Sequence, residues 1–325
     1  MKQNIVVIGG GNGTALMLQA LKPFLDKAHL TAVVSTADSG GSSGALRRFF
    51  GTLPPGDILR AILALSPYDY TLLKKLFYSN RITALNTFNA QLHASREPNL
   101  GNLFLVWAAQ AEGDMVRAIR GLEEAVEAVG HVHPVTLQSA TLCVELANGT
   151  MLKGEGTIDR PTYDRANRIV RAWLEGDPIA NPDVTHALAN ADYIVFGAGS
   201  SLYTSTIPNL LVGGVQEAID QSRAKLICIP GDAYSLNGET GPTTLSEYVA
   251  EMEQHLPRPV DAIVYHNEPL TAAQEQMYVQ KEWGSFEKDV QNLSGRPLFG
   301  CDLEKTDGGL SPEKLNRALG EILFT

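Results

Sequence analysis

The chain has 325 residues, of which 44% are hydrophobic and 19% are charged, a composition typical of a large globular protein. Its net charge of −10 at pH 7 argues against nucleic acid or an anionic membrane surface as a partner, because both attract basic proteins. No apolar run approaches the roughly 18 residues of a membrane span, and the first residues lack a signal-peptide pattern. The widely spaced Cys143, Cys228 and Cys301 favour reduced thiols over disulfides, so we expect a cytoplasmic protein.

A strand followed by a glycine-rich turn opens the chain. Residues 4–8 form a largely β-branched run that predicts a buried strand, and four of the next five residues are glycines. Apolar residues then recur at helical spacing, which predicts a helix beginning near Thr14. The start of a helix offers unpaired N–H groups and a partial positive charge, and glycines allow close approach, so the turn is a candidate phosphate site. Its candidate ligand-binding residues are Gly10, Gly11, Asn12, Gly13 and Thr14.

The spacing of these glycines disfavours two common nucleotide-binding motifs. The dinucleotide pattern G-x-G-x-x-G, started at Gly9, needs a glycine where Thr14 stands, and started at Gly11 it needs one at Leu16. The Walker pattern fails as well, because no Lys-Ser or Lys-Thr pair closes the loop. A tight turn without any ligand is the alternative to a phosphate site, and the glycine density favours the phosphate site.

Four further strands are predicted, and each ends in a loop of small or polar residues. Ligands of open α/β sheets bind outside the carboxyl ends of the strands, so the loops together predict one large site for an extended, phosphorylated ligand. The predicted strands are residues 30–36, 192–196, 225–229 and 260–265, and the loops after them are 37–44, 197–205, 230–234 and 266–268.

Two excursions interrupt this α/β alternation. Apolar spacing over residues 66–130 predicts a helical excursion, whose last helix spans 115–129 and ends at Gly130 as a C-cap would. Alternating apolar residues around an Asn-Gly turn predict a β-hairpin excursion over about 135–156.

Smaller elements complete the interpretation. Asp57 is well placed as the N-cap of a helix over 58–65, and a short helical piece is expected over 169–174. We expect residues 1–325 to form a single α/β domain with a mostly parallel sheet.

Several motifs in this order resemble the bacterial gluconeogenesis-factor family, the bacterial branch of the 2-phospho-L-lactate transferase (CofD-like) superfamily. The motifs are GGGNG at 9–13, ADSGGSSGALRR at 37–48, PPGD at 54–57, NLGNLF at 99–104, GAGSSLYTSTIPNLL at 197–211, NGET at 237–240 and HNE at 266–268. The resemblance implies a three-layer α/β/α Rossmann-like core.

The resemblance also implies a function and a set of site residues. Members of the bacterial branch resemble nucleotide-sugar-binding factors, linked to UDP-sugars, central carbon metabolism and cell-shape control. The transferase branch moves phospholactate from a guanosine diphosphate carrier to a deazaflavin, with magnesium. By this resemblance, diphosphate is held by Gly10, Gly11, Asn12 and Gly13, and Asp38 faces the ligand or a metal. An anion-binding loop is formed by Gly40, Gly41 and Ser42, and Asn102 lies near the first loop. The pocket is completed by Gly199, Ser201, Tyr203 and Thr204.

Departures from the family pattern weaken the case for catalysis. The family usually has Asp-Asp before Gly-Gly-Ser, whereas this chain has Asp38-Ser39, so one carboxylate that could hold a metal is missing. A Gly-His pair of the family is replaced by Glu97-Pro98, which removes a histidine that could bind ligand or transfer protons. The Ser200-Ser201 pair adds a residue to the usual spacing, and these serines also fit as hydroxyl caps of a turn.

Three functions therefore stay open. The first is a cytoplasmic regulator that binds a UDP-sugar or a similar dinucleotide. The second is a phosphotransferase acting on a nucleoside-diphosphate ester, with Asp38 as metal ligand or catalytic base and Mg²⁺ as the one candidate cofactor. The third is an NAD(P)-binding protein, because Asp38 ends the second strand, where a ribose-binding acid lies. Roles for Arg47, Arg48, Glu239 and Glu268 are undecided, and a homo-oligomer is one option for the assembly.

Overall fold

The structure is a computed structural model that describes residues 1–79, 97–197, 199, 201–293 and 295–324. In the first half the strands and helices are β1 (Gln3–Gly9), α1 (Gly11–Leu21), β2 (Ala28–Val34), α2 (Gly41–Phe50), α3 (Gly56–Leu65), α4 (Tyr70–Phe77), α5 (Leu100–Glu112), α6 (Met115–Ala125), β3 (His131–Pro134), β4 (Thr141–Leu146), β5 (Met151–Lys153), α7 (Glu155–Ile158) and β6 (Ile169–Glu175). In the second half they are α8 (Pro182–Ala189), β7 (Tyr193–Gly197), α9 (Ile207–Leu210), α10 (Val215–Gln221), β8 (Lys225–Ile229), β9 (Ala233–Ser235), α11 (Leu245–Glu253), β10 (Ala262–His266), α12 (Ala272–Gln280), β11 (Trp283–Ser285), β12 (Leu298–Cys301) and α13 (Pro312–Leu323).

A seven-stranded parallel sheet forms the centre, in the order β12-β10-β8-β7-β1-β2-β3. It confirms the five predicted strands and the α/β class, and it adds β3 and β12 at the two edges. Along β1, Ile5 and Val7 pack into the core on one face, while Val6 and Ile8 pack into the core on the other. Helices cover both faces, which explains why β1 is a continuous apolar run and does not alternate with polar residues.

The helical excursion lies between β2 and β3 and contains α4, α5 and α6, as the apolar spacing predicted. Residues 80–96 of the predicted excursion lie outside the described residues. The expected end of the last helix at Gly130 is wrong, because α6 ends at Ala125 and Glu127 takes a left-handed backbone with φ of 53°. Gly130 instead packs against β2, where an added Cβ would lie 2.5 Å from the Leu30 carbonyl oxygen.

The hairpin excursion is confirmed as β4 and β5, joined at the Asn148-Gly149 turn with Gly149 at φ of 81°. A third strand, β6, pairs antiparallel with β4, so the helical piece expected over 169–174 is wrong. Its buried apolar residues, at 169, 172 and 174, imitate helical spacing, but a register irregularity opposite Glu145 and Leu146 shifts the face that β6 buries.

Two helices begin earlier than the sequence suggested. Helix α1 starts at Gly11, so the glycines form its first turn and do not precede it. Helix α3 starts at Gly56 with Pro55 as its N-cap, so the expected capping role of Asp57 is wrong. The carboxylate of Asp57 instead accepts a hydrogen bond from Arg60 at 2.8 Å.

Within the described ranges, none of the helices combines the length and the apolar character that a membrane crossing needs. The two largest core clusters of the described residues both include side chains of the central sheet. The assignment of residues 1–325 to a single domain stays a prediction.

Two helical glycines predict opposite effects of the same substitution. In α2, a Cβ added to Gly44 would overlap the backbone of Ser39, whereas in α6 a Cβ added to Gly121 would meet no atom within 4 Å. Gly44→Ala should therefore destabilise the fold by about 1–3 kcal/mol through overpacking, and Gly121→Ala should stabilise it by up to about 1 kcal/mol through helix propensity. Urea unfolding of both variants measures the difference, and equal effects would show that α2 does not pack against Ser39 as described.

Candidate functional site

An open cavity of about 1650 Å³ lies at the carboxyl ends of the central strands. The loops after β1, β2, β7 and β8 contribute to it as predicted, whereas the fifth predicted loop, residues 266–268, does not line it. Of the residues proposed from the sequence, those that line it are Gly10, Gly11, Asn12, Gly13, Asp38, Gly40, Gly41, Ser42, Asn102, Gly199, Ser201 and Thr204. Thr14 and Tyr203 do not line it: both are buried, Thr14 donating to the Gly10 carbonyl and Tyr203 to the Ile169 carbonyl.

The first loop is built to leave the start of α1 open. Gly10 is extended and provides no side-chain cap, and Gly11 has φ of 62°, a left-handed conformation that favours glycine. The first N–H groups of α1 have no partner one turn earlier in the helix, and they carry its partial positive charge. A Cβ added to Gly10 would lie 2.7 Å from the Asp57 carboxylate and one added to Gly11 3.9 Å from Arg60 Nη1, so an anion at this end meets both a carboxylate and a guanidinium.

The second loop connects β2 to α2 and carries Asp38. One oxygen of Asp38 accepts the Gly40 N–H at 2.8 Å, and Gly41 begins α2 with φ of 51°. The two arginines of α2, Arg47 and Arg48, point in different directions. Arg48 lines the cavity, whereas Arg47 donates to the Ala140 carbonyl before β4 and so anchors the loop.

Asn102 connects the second loop to α5. It is only 2% exposed, and its amide donates to the Ser42 hydroxyl at 3.4 Å. Its side-chain oxygen has no hydrogen-bond partner among the described residues although the residue lines the cavity. A buried acceptor left without a partner is costly, so a donor group on a ligand would stabilise it.

The third loop is held by a buried carboxylate. Glu239 accepts the N–H groups of Tyr203 and Thr204, each at 2.9 Å, and the Thr204 hydroxyl at 2.8 Å. Burial raises the pKa of Glu239 to about 7, despite these hydrogen bonds, which favour the ionised form. Glu239 therefore positions a wall of the cavity, whereas Glu268 is exposed and outside the lining. Ser200 lies outside the described residues.

Sequence reasoning missed Glu155, which comes from the hairpin excursion. Its carboxyl group hydrogen-bonds Asp38, and Gly156 packs so closely that an added Cβ would lie 2.9 Å from the Gly40 Cα. The only signal was a glutamate between two glycines directly after the hairpin, Gly154-Glu155-Gly156. A second carboxyl group thus stands beside Asp38 although Ser39 replaces the family's aspartate.

Burial and neighbouring carboxylates raise the pKa of both carboxyl groups in the Asp38–Glu155 pair. Burial and the negative charge of Asp38 raise the pKa of Glu155 to about 9, so Glu155 holds a proton at neutral pH. The pKa of Asp38 is also raised, by burial and then by Asp57. No group of three or more metal-ligating side chains was found in the described parts of the chain, and Mg²⁺ as a cofactor stays a prediction.

The fold and the cavity define an α/β protein that presents a glycine-lined helix N-terminus to a large polar site. The chain belongs to the 2-phospho-L-lactate transferase CofD family, whose model matches residues 5–298. The expected family resemblance is therefore confirmed.

Individual relatives are named as gluconeogenesis factors. A protein of Halalkalibacterium halodurans named "Gluconeogenesis factor" is 35% identical over 282 residues, 86% of this chain and 83% of that protein. One of Bacillus subtilis with the same name is 32% identical over 301 residues, covering 91% and 89%. This chain spans 58% of the length of a Nostoc sp. relative that is 36% identical over 284 residues.

The fold has a solved counterpart. A crystal structure of a UPF0052 family protein from Bacillus halodurans matches 98% of this chain and 99% of that chain, with a TM-score of 0.85 at 32% identity. This chain therefore shares its α/β fold with that protein.

The pKa of Glu155 predicts how stability changes with pH. Unfolded, Glu155 loses its proton near its ordinary value of 4.5, whereas folded it keeps the proton until about pH 9. Its contribution to stability is thus present at low pH and is lost as pH rises through this window. Glu155→Gln, which resembles the protonated form, should be more stable than native at pH 8.5 by at least about 1 kcal/mol and equal to it near pH 5.

Urea unfolding at pH 5, 7 and 8.5 measures this difference. Glu112→Gln, at an exposed position in α5, is the matched control and should follow the native pH dependence. A Glu155→Gln protein whose stability falls in parallel with the native protein would show that Glu155 is ionised in the fold.

Proposed function

We propose that this chain is a cytoplasmic regulator of the gluconeogenesis-factor type that binds a nucleotide sugar of the UDP-sugar class. Its ligand would connect it to central carbon metabolism and to cell-shape control. The observation that carries the proposal is the start of α1, where left-handed Gly11 opens the helix N-terminus into the cavity. Diphosphate is the part of a nucleotide sugar that such a helix end binds.

The dimensions of the cavity support a ligand of this kind. Its volume of about 1650 Å³ exceeds the range of about 300–1,000 Å³ of ordinary small-molecule pockets, so an extended ligand fits better than a single phosphate. The orphaned oxygen of Asn102 offers a buried acceptor for a hydroxyl or amide of the base or the sugar.

A phosphotransferase of the 2-phospho-L-lactate transferase type is the second candidate, and the Asp38–Glu155 pair favours it. Neighbouring carboxyl groups with different protonation can serve as base and acid. Transfer would also have to stabilise charge developing on the phosphoryl group, which usually requires a metal. The described carboxyl groups do not form a metal site on their own, so we favour binding over transfer.

Replacing Gly11 tests the diphosphate position. Gly11→Ala places a methyl group at the mouth of α1 and should weaken UDP-sugar binding at least about tenfold, because the anion loses close access to the N–H groups. Gly51→Ala is the matched control: its φ of 63° brings the same backbone strain, but it lies outside the cavity lining. Calorimetric titration of both variants decides the point, and equal affinities would place the diphosphate elsewhere.

The dependence of UDP-sugar binding on magnesium distinguishes a binding regulator from an enzyme. If the chain is a binding protein, removal of divalent ions with a chelator should change the affinity for a UDP-sugar by less than about threefold. Incubation with a UDP-sugar and a deazaflavin acceptor should give no multiple-turnover transfer. Loss of binding in chelator, or repeated turnover that Glu155→Gln abolishes, would favour the transferase.

A further inference from the structure

Three basic side chains from different elements meet at one end of the cavity. Arg60 comes from α3, Lys74 from α4 and Lys305 from the segment between β12 and α13, and all three line the cavity. Arg60 joins this basic end to the first loop, because a Cβ added to Gly11 would lie 3.9 Å from its Nη1 atom. The basic end therefore begins where the diphosphate site ends.

Tyrosine rings surround the middle of these three cations. The Lys74 ammonium lies 5.9 Å from the ring centroid of Tyr70 and 6.0 Å from that of Tyr78. Both rings also line the cavity, so they offer flat apolar walls beside a positive charge. Aromatic walls with a nearby cation suit the ring of a sugar that carries an anionic substituent.

The positive charge at this end is poorly neutralised. Arg60 has a partner in Asp57, at 2.8 Å, but neither lysine forms an ion pair with a carboxylate among the described residues. Glu313 interacts with Lys305, and its carboxylate also accepts a hydrogen bond from the Ser311 hydroxyl at 2.6 Å. Glu97 and Glu304 also line the cavity, but Lys74 and Lys305 form no ion pair with any described carboxylate, and in a chain with a net charge of −10 two such lysines at one end of a cavity favour an anion there.

We propose that this basic end binds a second anionic group on the ligand, so that the preferred ligand is a nucleotide sugar whose sugar carries a carboxylate or a phosphate. The proposal rests on the proposed function, since it extends the diphosphate site along the same cavity. The diphosphate would lie at Gly11 and Arg60, and the acidic sugar would lie between Tyr70, Lys74 and Lys305.

The electrostatics of Lys74 agree with this assignment. Partial burial lowers its pKa, and the positive charges of Arg60 and Lys305 lower it further. An anion placed between these groups removes this mutual repulsion, so a charged ligand gains more from the basic end than a neutral one.

Two ligands that differ only at the sugar C6 position test the proposal. UDP-glucuronic acid carries a carboxylate where UDP-glucose carries a hydroxymethyl group. Calorimetric titration of the native chain should show about tenfold tighter binding of UDP-glucuronic acid. Lys74→Gln and Lys305→Gln should each reduce this preference, measured as the ratio of the two affinities, at least about threefold.

Lys75→Gln is the matched control. It removes the same charge from the next residue of α4, but Lys75 lies outside the cavity lining, so the preference should survive. Equal binding of the two ligands by the native chain, or a preference that survives both Lys74→Gln and Lys305→Gln, would overturn this inference while leaving UDP-sugar binding intact. Failure of both ligands to bind would overturn the proposed function together with it.

Discussion

The parallel register of β1 with its two neighbours determines where every part of the site lies. Ile8 is level with Val33 of β2 and with Phe196 of β7, so three strands end at nearly the same height. The loops that follow must then begin side by side at one edge of the sheet. The amide of Asn209 reinforces this arrangement by donating to the carbonyls of Gly9 and Ser205, which ties the first loop to the third.

The excursions complete the site. The small β5-β4-β6 sheet brings Glu155 against Asp38, and Arg47 fixes the second loop to the residues before β4. The helical excursion contributes Lys74 and Asn102, which line the same cavity. In the proposed function, the core sheet supplies the helix end that binds the anion, while the insertions supply the groups that distinguish one ligand from another.

Sequence patterns predicted well what depends on local periodicity. The five central strands and the glycine-rich loops were readable because buried parallel strands are continuous apolar runs and because glycines mark sharp turns. The strand β6 was missed since its apolar spacing imitates a helix and only its pairing with β4 decides its conformation. The end of α6 was missed because Glu127 adopts a left-handed backbone, and the sequence gives no signal for this conformation when the residue is not glycine.

The site was predictable only in part, for a different physical reason. The residues of the first two loops follow directly from the ends of their strands. Glu155, Arg60 and Lys305 reach the cavity from segments far apart in the chain, and tertiary packing alone brings them together. Asp57 shows the same limit, because a local capping role was expected and an ion pair with Arg60 was found.

A crystal structure of the chain with a bound UDP-sugar tests the central claim most directly. The account predicts that the diphosphate accepts hydrogen bonds from the backbone N–H groups at the start of α1, at Gly11, Asn12 and Gly13. A diphosphate bound in another part of the cavity, with the start of α1 left free, would contradict it.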